Sequence, residues 1–61
     1  MSDRIDELVT QLEGIEEALR DLAYDRLSAA ADGDEGAASD EKRLNQARRA
    51  VERAIHALGE G

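Results

Sequence analysis

The sequence predicts an all-α fold: an antiparallel two-helix hairpin, expected to pair with a second copy of itself as a homodimeric four-helix bundle. Three observations predict it. Ile5, Leu8, Leu12, Ile15, Leu19 and Leu22 recur at alternating steps of three and four, and so do Leu44, Ala47, Val51, Ala54 and Leu58. That spacing draws one apolar seam along each of two helices. Between them lies an acidic stretch with two glycines, and the chain has no proline.

The first helix is expected over about 3–31. Ser2 is its candidate N-cap, and Asp3 and Asp6 suit the positive end of the helix dipole. Gly14 is its internal weak point and falls away from the seam. Toward the end, Ala23, Leu27 and Ala30 follow a straight 3.6-residue helix, which puts Arg26 on the border of the apolar face, stem packed and head wet.

Residues 32–38, DGDEGAA, read as the connecting loop, with Gly33 suited to a left-handed cap and Gly36 loosening the residues after it. Ser39 then caps a second helix over about 40–58, closed by Gly59, with Ile55 widening its stripe. Residues 1–61 thus form a single hairpin. Folded about residue 35, Leu27 meets Leu44, Leu19 meets Val51 and Leu12 meets Leu58. Helix 1 is then the longer arm, and Ile5, Leu8 and Val9 overhang without facing residues.

Composition points the same way. Large apolar residues number fourteen in 61, with Tyr24 the sole aromatic and no cysteine. So short a chain without disulfides needs another staple, and oligomerisation is the one that remains. The expected interface is Ile5, Leu8, Val9, Leu12, Ile15, Leu19 and Leu22 with Val51, Ile55 and Leu58. A net charge of −7 disfavours nucleic acid or an anionic membrane as partner. Arg48, Arg49 and Arg53 are the one candidate basic surface, and no aromatic stands among them for base stacking. The longest apolar run is Ala29 to Ala31, too short to span a bilayer, and the acidic start MSDRIDEL is unlike a signal peptide. A cytoplasmic location is the default.

No constellation for chemistry emerges, so the expectation is a protein that is not an enzyme and takes no cofactor or metal. His56 is the only histidine, on the outer face, and Glu52–x3–His56 differs from the Glu-x-x-His spacing of di-iron bundles. Glu13, Glu16, Glu17, Asp21 and Asp25 fall outside or beside the seam. Asp32, Asp34 and Glu35 do not meet the twelve-residue calcium-loop spacing. There is no glycine-rich phosphate loop and no nucleophile with an activating base. Charge is instead divided between the helices, helix 1 acidic and helix 2 richer in arginine, which sets Asp25 near Arg43 and favours antiparallel pairing.

Two local resemblances complete the reading. Leu8 to Arg26, LVTQLEGIEEALRDLAYDR, resembles the opening helix of the all-helical chorismate mutases, in which Arg26 matches a substrate-binding arginine. The family's earlier arginine is Val9 here, and its later helices, with their lysine and glutamine contacts, are missing. Leu44-x-x-Ala47-Arg48-x-x-Val51 is similar to the second helix of the exonuclease VII small subunit, which has glutamate where Arg48 stands. A self-associating interaction module is therefore the expected role. The alternative is an adaptor or small regulatory subunit that binds another protein's helix through the Ile5/Leu8/Val9 ridge.

Overall fold

A computed structural model describes residues 3–60 of the chain. It contains two helices, α1 (Asp3–Ala31) and α2 (Glu35–Glu60), packed side by side as a hairpin. The Ser2 cap expected from the sequence lies outside the described residues. The hairpin is a slender rod, 48 × 14 × 11 Å.

The turn is shorter than the sequence suggested. Only Asp32, Gly33 and Asp34 separate the helices, so residues 35–39 belong to α2 and Ser39 is not its cap. The backbone shows why. Gly33 takes φ +103°, the left-handed region where an L side chain is strained. Its N–H donates to the Ala30 carbonyl at 3.0 Å, and the Asp34 N–H reaches back to Ala29 at 3.1 Å. This bond pair is a Schellman closure, which satisfies carbonyls the helix end would otherwise leave unpaired. Asp34 then serves the next helix: its Oδ1 accepts the Ala37 N–H at 3.1 Å, the N-cap geometry. A good cap and the burial of Ala37 outweigh the roughly 1 kcal/mol that Gly36 costs in the first helical turn. At the other end α2 runs through Gly59 rather than stopping before it.

The early start of α2 changes the register. The pivot moves to Gly33, and the arms become nearly equal, 29 and 26 residues. The overhang expected for Ile5, Leu8 and Val9 largely disappears: Val9 comes level with the end of α2 and is half-buried. The pairs shift too. Leu22 shares a groove wall with Leu44, while Leu27 borders Glu41, Asn45 and Arg48.

The face that α1 turns to α2 is Val9, Leu12, Glu16, Leu19, Ala23, Arg26 and Ala30, all buried or half-buried at steps of three and four. Over residues 5–22 it shares only Leu12 and Leu19 with the seam read from the sequence, while the expected continuation through Ala23 and Ala30, with Arg26 at its border, is found. The cause lies near the turn. A three-residue connection forces the two backbones together, and only small side chains fit between them. Ala23, 5% exposed, and Ala37, 1% exposed, are the only buried residues among those described. On α2, Leu44, Val51, Ala54, Ile55 and Leu58 are half-buried, with Ala47 at the exposed edge.

Candidate functional site

Once α2 has settled on the alanine side of α1, the displaced residues of the expected seam are left facing out. Leu8, Ile15 and Leu22 are 50%, 49% and 49% exposed. They stand seven residues apart, two helical turns at each step, and so line up along one flank. Ile5 is also exposed, at the tip. The same flank continues onto α2. Leu22, Arg26, Asp40, Arg43, Leu44 and Ala47 line a groove of about 380 Å³ between the helices. Seven residues beyond Leu44, Ala47 and Val51 stand Val51, Ala54 and Leu58, so the groove's apolar wall extends along the rod.

The opposite flank has a different character. Its groove is bordered by Arg20, Ala23, Tyr24, Leu27, Glu41, Asn45 and Arg48. Tyr24 is exposed there, and Asn45 Nδ2 donates to Glu41 within α2. One flank carries Leu8, Ile15 and Leu22 beside alanines, with Arg26, Asp40 and Arg43 at the groove near the turn, and the other carries the exposed Tyr24 and Leu27 among polar residues.

Between the flanks, the seam itself carries charge. Glu16, expected outside it, has a side chain only 13% exposed and is held by a two-pronged contact from Arg20 at 2.8 and 3.0 Å. On α2 the half-buried Arg48 lies 3.8 Å from Glu52, and its Nε is buried with no hydrogen-bond partner. Arg48 therefore leaves the candidate basic surface, because Arg49 and Arg53 are exposed while it turns inward. Arg26 sits at the groove's edge and donates to Asp25 at 2.7 Å. That hydrogen bond and the carboxylate's charge raise the Arg26 pKa above its ordinary value, so the guanidinium keeps its proton at any working pH.

The expected pairing of Asp25 with Arg43 is absent. Among the described residues every ion pair lies within one helix, and none ties α1 to α2. His56 is exposed, and no cluster of three metal-ligating side chains occurs among the described residues. Neither helix, over those residues, is long and apolar enough to cross a membrane.

Of the expected interface, Ile5, Leu8, Ile15 and Leu22 are free, whereas Val9, Leu12, Leu19, Val51, Ile55 and Leu58 are at least half-covered within the hairpin. The structure does not bring Ile5, Leu8 and Val9 together as one free ridge, since Val9 turns toward α2. The sequence reading placed Leu8, Ile15, Leu22, Ala47 and Ala54 in the seams between the helices, and that Leu8, Ile15 and Leu22 instead stand on an open flank beside Ala47 escaped it. The signal was present in the seven-residue spacing of both sets.

No family model, curated protein or solved structure matches the chain. The local resemblances over Leu8–Arg26 and Leu44–Val51 gain nothing from those comparisons.

Proposed function

We propose that this chain is a non-catalytic interaction module that works by self-association, two hairpins closing their Leu8–Ile15–Leu22 flanks against each other as a four-helix bundle. The observation that carries this reading is the surface left open. A compact monomer of 6.6 kDa should expose about 3,900 Å² by the surface-to-mass relation of folded proteins. This chain exposes 4692 Å² and fully buries no large side chain among the described residues. The excess of roughly 800 Å² is what one partner contributes to a stable protein–protein interface.

Light scattering coupled to gel filtration over a hundredfold concentration range tests the proposal. The expected result is a two-chain mass that gives way to one chain only on dilution. A folded single-chain mass throughout would overturn it. The adaptor reading, in which another protein's helix takes the place of the second copy, draws less support, because the ridge it relied on is divided by the inward turn of Val9.

A further inference from the structure

We infer that the second copy docks with its two-fold axis parallel to the helices, so that α1 of each hairpin lies over α2 of the other; this rests on the self-association reading. A pair of hairpins can close face to face in two symmetric ways. With the axis across the helices, α1 covers α1 and α2 covers α2. With the axis along them, every residue keeps its height and like helices sit diagonally.

Two independent features select the second arrangement. The first is volume. Leu22 stands level with Leu44 and Ala47 on the groove wall. Stepping down by seven, Ile15 comes level with Val51 and Ala54, and Leu8 with Leu58. In the axis-along pair, Leu22 and Ile15 therefore meet alanine-bearing stretches of the other copy, knob against hole, while Leu8 packs on Leu58. In the axis-across pair the large side chains would collide on one side while Ala47 and Ala54 faced each other across a gap on the other, and voids of that kind are costly.

The second feature is charge. Within its bounds α1 holds eight acids against three arginines, whereas α2 holds five of each sign. Stacking α1 on α1 doubles an acidic surface, and like charges so placed are destabilising. Placing α1 over α2 relieves it, and sets Asp21 and Asp25 at the height of the second copy's Arg43. This also gives Arg43 the inter-helix role that it lacks inside the hairpin, where no ion pair joins the two arms among the described residues.

Engineered single cysteines test the arrangement in a chain that has none. Chains carrying Ile15→Cys and chains carrying Ala54→Cys are mixed and oxidised mildly, with scattering mass and helicity checked on each. The expected result is a mixed disulfide dimer forming about tenfold faster than either chain couples to itself, as proximity in the complex dictates. Should Ile15→Cys unfold the hairpin, Leu22→Cys mixed with Ala47→Cys asks the same question. Fast self-coupling of the Ile15→Cys chain, or no coupling in a sample of two-chain mass, would overturn the arrangement while leaving self-association standing. A single-chain mass in the unmodified protein would instead remove the reading on which it rests.

Discussion

Asp34 and Gly33 together decide where one helix stops and the other starts, and each does so through one atom or one torsion. Replacing Gly33 with alanine forces a Cβ into φ +103°, at an expected cost of about 1 kcal/mol, read from urea denaturation. Asp34→Ala removes the acceptor of the Ala37 N–H and should cost a similar ~1 kcal/mol. Gly14 offers the opposite sign. A Cβ there would meet nothing within 4 Å, so Gly14→Ala should stabilise the hairpin by up to about 1 kcal/mol, visible as a higher melting temperature. Gly33 was readable as a left-handed cap because glycine after Asp32 leaves few other uses. Asp34 was not, because Ser39, followed by Asp40 and Glu41, offers the same cap five residues later. Only the packing of Ala37 against α1 distinguishes the two.

Each helix was legible from its period, and so was most of the inward face of α2, where Leu44, Val51, Ala54, Ile55 and Leu58 are half-buried; the face that α1 turns to its neighbour was not. On α1 the apolar residues form two overlapping stripes, Ile5–Leu8–Ile15–Leu22 on one side and Val9–Ala23–Ala30 on the other, with Leu12 and Leu19 common to both. Counting large side chains favours the first stripe. The short turn favours the second, because close backbones need alanine. Charge in that seam is the cost of the choice. Arg48 brings into it a buried Nε that has no hydrogen-bond partner and only a long 3.8 Å approach to Glu52, so Arg48→Met, which keeps the stem and removes the polar atom, should raise stability by roughly 1 kcal/mol in denaturant unfolding. A loss of stability in that variant would mean that Arg48 makes a contact worth more than its desolvation.

At the scale of the whole molecule, the hairpin leaves Leu8, Ile15 and Leu22 about half exposed, and the proposed pairing is the means of covering them. Stability coupled to association makes the melting temperature rise with protein concentration. Leu22→Asp, on the wall of the open groove, is expected to abolish both the two-chain mass and that dependence, whereas Tyr24→Ser on the opposite flank should leave both intact. The three-residue bend carries one more consequence. Its residues are already committed on both sides, and opening it would forfeit the closing bonds of α1 and the Asp34 cap of α2. The proposed assembly is therefore one of closed clips meeting side on. Removing a residue from the bend should be what first favours exchanged, interlocked chains, because a hinge too short to close relieves its strain by opening.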